Sequence, residues 1–215
     1  GCMRKHMNVF VVLGVFAFAA VPVVASAATL GGEVFGAFNS YSMGDVNDAL
    51  DASNQTGSNF DEISSGITGG LALRMWANPN WMFAAGWEPL FAQSEDSVND
   101  EKWDVGANSF QLTAGYFFPT ATSAKYGIAG GLGYYTLNGE FSDPTTTVDV
   151  SGSSVGFHFL GMGEWTVSPG FAVTGGAGYR VADVTVDETS PESSVDYSGF
   201  MGRVGLAFYM PNSSQ

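Results

Sequence analysis

Along most of this chain every second residue is large and apolar, and the residues between are small or polar. Phe110, Leu112, Ala114 and Tyr116 alternate with Gln111, Thr113 and Gly115. Ile67, Leu71, Leu73 and Met75 share one parity, and Thr68, Gly70, Ala72 and Arg74 the other. The same rhythm runs through Trp81–Trp87, Tyr126–Tyr134, Val155–Trp165, Phe171–Val181 and Phe200–Phe208, and less clearly through 32–42, where Val34 and Phe38 share a face. A period of two is the signature of a strand with two different faces. Three connections are short and rich in turn formers: Asn78-Pro79-Asn80, residues 119–124 and Ser168-Pro169-Gly170. Between them lie longer polar links, at 43–65, 92–106, 138–152 and 187–196.

The chemistry of the two faces decides what the strands enclose. A soluble barrel turns its apolar face inward. Here the bulky face carries Phe, Trp, Tyr, Leu, Val and Ile. The other carries Gly, Ala, Thr and Gln with scattered charges. Only 13% of residues are charged, against about 25% in soluble proteins. The 29 glycines suit a narrow interior with little room for side chains. The bulky face is therefore assigned to lipid. The expected fold is all-β, a transmembrane up-and-down antiparallel β-barrel of eight strands over residues 28–215. A hairpin hidden in the 43–65 link would make it ten. The segment 43–52 has the makings of a short helix, with Ala49-Leu50 as its apolar patch. Alternating short and long connections are how such barrels are laid out, and strands of about 10–14 residues exceed the 9–11 a tilted crossing needs.

Residues 1–27 read as a secretory signal peptide. Arg4 and Lys5 precede an apolar run from Val9 to Val24, and Ala25-Ser26-Ala27 supplies a small-residue cleavage site. The single cysteine excludes a disulfide framework. A net charge of −14 makes nucleic acid a poor partner.

All 21 acidic residues except Glu33, Glu88 and Glu164 fall in or beside the long links. These links are expected to form a solvated acidic rim facing outward from the cell. Strand parity points Arg74, Glu88, His158, Glu164, Arg180 and Arg203 into the lumen. Charges in a membrane protein belong in the interior and in pairs, so these six are expected to form a polar, ion-paired network plugging the barrel. Trp76, Trp81 and Trp165, with Phe117, Phe118, Phe208 and Tyr209, suit an aromatic girdle at the short-turn end, and Tyr134, Tyr179 and Tyr197 one at the long-link end. No catalytic constellation is expected: His158 is the one histidine beyond the signal segment, it points inward, and no His-x-Ser follows it. No metal site or cofactor is expected either, since only loose loop carboxylates are on offer.

The signal segment, the eight alternating segments and the short-turn, long-loop rhythm resemble the outer-membrane β-barrel superfamily that includes the OmpA-, OmpX- and OmpW-like proteins. The resemblance covers residues 30–210 and rests on pattern, not on a diagnostic motif. It implies a porin-like cell-envelope protein of the Gram-negative outer membrane, monomeric, with outer-membrane lipid and lipopolysaccharide as surroundings and no enzymatic activity. A structural or surface-interaction role is the first expectation. An OmpW-like conduit for small hydrophobic molecules, lined by Met82, Leu90, Leu160, Met162 and Met201, is the alternative, and a lipid A-modifying enzyme a remote one. Such barrels commonly end on an aromatic residue, whereas Phe208-Tyr209-Met210 is followed here by Pro211 to Gln215. In detergent the protein should show heat-modifiable gel migration and a β-type circular dichroism spectrum; a detergent-independent soluble monomer would contradict the assignment.

Overall fold

The computed structural model describes residues 28–96, 99–142, 147–186 and 193–210. The signal segment, 1–27, lies outside the described residues. Eight strands close on themselves: β1 (Thr29–Ser40), β2 (Ser65–Trp76), β3 (Trp81–Leu90), β6 (Ala107–Phe117), β7 (Ala124–Ser142), β8 (Thr147–Ser168), β9 (Phe171–Val181) and β12 (Gly199–Tyr209). Each pairs antiparallel with the next, and β12 returns to β1, with Gly36 opposite Val204 and Ala37 opposite Arg203. Closure leaves no open edge, which is the condition for a sheet to stand in hydrocarbon without unpaired backbone groups. The tight turns form as their residues dictate. The Asn78 side chain accepts from the Asn80 and Trp81 amides, and Gly170 sits at φ +80° after Pro169, a conformation that favours glycine.

The bulky parity faces outward. Ile67, Leu73, Phe110, Ile128, Leu132, Phe159, Val204 and Phe208 are all exposed on the barrel wall. In a soluble monomer so continuous an apolar belt would be anomalous. From Phe110 to Phe118 it covers roughly 20 Å of barrel height once strand tilt is included, close to the ~25 Å apolar band of outer-membrane barrels.

Two long links differ from expectation. The 138–152 segment is mostly strand: β7 and β8 stay paired from Ala124–Trp165 out to Ser142–Thr147, so these strands are 19 and 22 residues long. The polar composition there reflects strands that have left the lipid, not a loop. The 92–106 link holds a short hairpin, β4 (Gln93–Asp96) and β5 (Glu101–Asp104), which pairs with the outer end of β7. A second small hairpin, β10 (Asp183–Thr185) with β11 (Ser194–Asp196), lies outside the barrel ladder. The additional strands therefore do not enlarge the barrel, and the 43–65 link contains helix α1 (Gly44–Gln55) instead of a hairpin. Val46 and Leu50 are its buried residues. Two helical asparagines clamp the returning chain. Asn47 exchanges hydrogen bonds with the Ile63 backbone at 2.8 and 3.1 Å, and Asn54 with Phe60 at 2.7 and 3.0 Å.

The glycines divide by face. A Cβ on inward-facing Gly178 would collide with the Phe159 carbonyl and lie 2.7 Å from the Leu160 Cα, whereas one on outward-facing Gly161 meets nothing nearer than 3.8 Å. Gly178→Ala should therefore lower unfolding free energy in detergent or lipid by more than about 1 kcal/mol, and Gly161→Ala by less than about 0.5 kcal/mol; urea titrations read by tryptophan fluorescence measure both.

Candidate functional site

The interior is stacked in layers. At the short-turn end Trp76, Met82, Phe117, Leu160, Met162 and Met201 form an apolar cluster. Lys125 places its ammonium 4.2 Å from the Trp76 ring centroid, and the Trp76 indole donates to the Tyr209 hydroxyl at 3.0 Å. Tyr209 in turn donates to Glu164 at 2.6 Å. This lower seal leads into the first charged layer. Arg74 lies 3.0 Å from Glu164 and 3.7 Å from Glu33. Glu33 also faces Arg203 at 4.0 Å and accepts a short hydrogen bond from Thr174 at 2.5 Å. Arg203 is stacked 5.1 Å over the Phe35 ring.

The second charged layer centres on Glu88. Its carboxylate receives Arg180 at 2.8 Å, Gln111 at 2.9 Å and Asn39 at 2.9 Å. His158 pairs opposite Arg180 in the β8–β9 register, and its Nε2 is 2.9 Å from the Thr113 hydroxyl. Arg74 and Arg180 are each 1% exposed. Moving such groups out of water is tolerable only when their charges are paired: Arg180 is hydrogen-bonded to Glu88, and Arg74 is ion-paired with Glu164 and Glu33. Between the two apolar clusters the described lumen holds three arginines against three glutamates, whose formal charges cancel; the Lys125 ammonium lies against Trp76 at the short-turn end.

Above this layer the long-link end is closed by a second apolar cluster, to which helix α1 contributes Val46 and Leu50, the barrel walls Leu90 and Leu137, and the outer segments Phe60 and Tyr197. Tyr41 and Tyr197 meet edge to face at 5.7 Å, and Tyr197 donates to the Val105 carbonyl. Burial is the main cause of the raised pKa of both phenols. It pushes Tyr41 up to about 12 and Tyr197 higher still, with Tyr41 and Asp104 adding to the latter.

Arg74, Glu88, His158, Glu164, Arg180 and Arg203 are thus all buried in the lumen, in two separate groups, with Arg203 beside Arg74 and not at the level of Arg180. Glu33 is a member that the sequence did not supply. Its strand breaks the bulk rule, since Phe35 points inward and Gly36 outward. The signal available was the charge itself, sharing parity with Ala37 and Asn39. Four aromatic assignments require correction. Trp76 is not at the lipid interface: it shares parity with Arg74 and is 6% exposed inside the lower seal. Phe117 and Tyr209 belong to the same seal, Tyr209 through its hydrogen bonds to Trp76 and Glu164, and Tyr197 lies inside the upper cluster. Trp81, Trp165, Tyr134 and Tyr179 are exposed on the outer wall. Leu90 belongs to the upper cluster, while Met82, Leu160, Met162 and Met201 pack together in the lower one. Among the described residues no three His, Cys, Asp or Glu side chains are grouped as metal ligands.

Removing one partner of a buried pair leaves an uncompensated charge at a cost of about 3–5 kcal/mol. Glu88→Gln should therefore destabilise the barrel by that order, since Arg180 loses its only described carboxylate, while Glu88→Leu combined with Arg180→Met should recover most of the loss. Equilibrium unfolding of the three variants in lipid vesicles checks this.

No family model matches the chain, and no curated protein sequence does. Solved structures do. The neisserial surface protein A (NspA) superposes with a TM-score of 0.55 over 85% of this chain and 98% of its own, at 14% identity. A major outer membrane protein of Thermus thermophilus gives 0.53 over 84% and 99%, at 13% identity. The N-terminal β-barrel domain of Pseudomonas aeruginosa OprF gives 0.51 over 85% and 97%, at 11% identity. With its closed eight-stranded ladder, its apolar outer belt and its paired interior charges, the chain has the fold of the small eight-stranded outer-membrane β-barrels.

Proposed function

We propose that this chain is an integral outer-membrane protein with a structural or surface-interaction role, presenting acidic outer segments above a plugged lumen. The observation that carries the reading is a pair of buried apolar clusters, one joined to Tyr209 through Trp76 and the other capped by α1, with the ion pairs between them. A barrel filled in this way has its chemistry available at the rim. The exposed acids there include Asp45, Asp48 and Asp51 on α1, Asp61 and Glu62 beyond it, and Glu140 and Asp149 on the β7–β8 extension. Outer-membrane lipid and lipopolysaccharide are the surroundings that this belt and rim meet, and the barrel works as a monomer. A non-enzymatic role is supported by His158, whose described hydrogen-bond partner is Thr113 inside the lumen, far from any lipid-borne substrate.

Single-channel recording on refolded protein tests the reading. The wild type should leave a bilayer silent. Discrete openings that shift with Arg203→Ala would overturn it in favour of a conduit for small hydrophobic molecules. Lipid A mass spectra should be unchanged on overexpression; a new lipid A species would contradict the non-enzymatic role.

A further inference from the structure

The barrel ladder stops short at one joint. β2 and β3 pair through six residue pairs, from Trp76–Met82 to Leu71–Trp87, and no further. Yet β2 runs on to Ser65, paired with β1 throughout, and β3 runs on to Leu90, paired with β6 throughout. Among the described residues every other barrel ladder is longer. The sequence supplies the cause. Continuing the register past Leu71–Trp87 puts Gly69 opposite Pro89. The Pro89 carbonyl points at β2, where it accepts from the Thr68 hydroxyl. The N–H and C=O of one strand residue lie on the same side, so the N–H that proline lacks is the one that would have continued this ladder. Proline in a sheet is confined to edges, strand starts and bulges, and a closed barrel has no edge to offer.

The two strands nevertheless stay together. A Cβ on Gly66 would lie 2.5 Å from the Phe91 carbonyl oxygen, and one on Gly70 2.5 Å from that of Trp87. Two side-chain bonds span the joint in place of the ladder. One is Thr68 on Pro89; the other is Asn39, which reaches from β1 past β2 to Glu88 at 2.9 Å. Outside, Ile67 and Phe91 flank the joint and are exposed; inside, Thr68, Glu88 and Leu90 are buried. We propose that the upper β2–β3 joint, Ser65–Gly70 against Glu88–Leu90, is a latched seam that parts locally while the rest of the barrel stays closed, with Thr68 and Asn39 as the latch. Parting it breaks no ion pair, because Arg180 and Gln111 hold Glu88 from β9 and β6, neither of which borders the seam. At the other joints the wall opens only by breaking ladder bonds. Local openings below the cost of global unfolding arise where protecting hydrogen bonds are fewest, and the seam is that place in this wall.

Amide hydrogen exchange, read by NMR on the full barrel in nanodiscs, tests the seam. An amide in a lipid-embedded wall exchanges only when opening brings it water, so its rate reports the opening. The amides of Ile67, Gly69 and Phe91, which share the parity of Leu71 and Trp87 and so face the seam, should exchange at least 10-fold faster than those of Phe159–Gly163 in the unbroken β8–β9 ladder. Asn39→Ala should raise the seam rates at least a further fivefold and leave those of Phe159–Gly163 within twofold. Pro89→Ala, which returns the N–H, should lower the seam rates at least fivefold. Equal wild-type rates at the two places, or no response to Pro89→Ala, would overturn the seam. An Asn39→Ala effect that is absent, or equally large at Phe159–Gly163, would overturn the latch. Should Asn39→Ala not fold, Thr68→Val removes the other latch bond with the same expected outcome, and the wild-type contrast and Pro89→Ala still decide the seam.

Discussion

Everything else in this barrel depends on the mutual cancellation of six charges inside it. Glu33, Glu88 and Glu164 face Arg74, Arg180 and Arg203 across the lumen. Because their charges offset one another, these groups can be sequestered, and because they sit on one strand parity, the other parity is free to be wholly apolar. The lipid-facing belt is therefore the complement of the ion-pair network. Small residues complete the arrangement: arginine side chains fit across the lumen because the neighbouring inward positions include Gly176, Gly178 and Gly131.

The two apolar clusters keep this network dry of bulk solvent and hold it in register. The lower one is built from barrel residues alone and is stitched to the charges through Tyr209, which links Trp76 to Glu164. The upper one requires chain from outside the barrel. Helix α1 is a poor helix by composition, with three aspartates and three asparagines or glutamines in twelve residues. It persists because Val46 and Leu50 are buried and because Asn47 and Asn54 fasten the return segment to it. The cap is anchored further by the Asn59 amide on Asp96 and the Ser94 hydroxyl on the Asp61 carbonyl. The acidic rim is thus partly a fixed surface.

Strand parity is legible wherever bulk and charge agree, as in β6, β7 and β12, and it locates Arg74, Glu88, His158, Glu164, Arg180 and Arg203 on the inner face. It fails where size and direction part company. Phe35 faces inward because Gly70 leaves its ring room, a cross-strand fact absent from the β1 sequence itself. Trp76, Phe117 and Tyr197 mislead for the same reason: an aromatic near a strand end suits a girdle or a plug equally well by composition, and only parity carried through the strand separates them. The extent of β7 and β8 is hidden because strands outside lipid need no apolar face, so their period-two signal fades while their hydrogen bonding continues.

The central claim, that the lumen charges stabilise the barrel by satisfying one another, is tested most directly by a double-mutant cycle between Arg74 and Glu164, with unfolding free energies measured in lipid for Arg74→Met, Glu164→Gln and the pair. The account predicts a coupling energy of about 1–3 kcal/mol. Additivity within about 0.5 kcal/mol would contradict it.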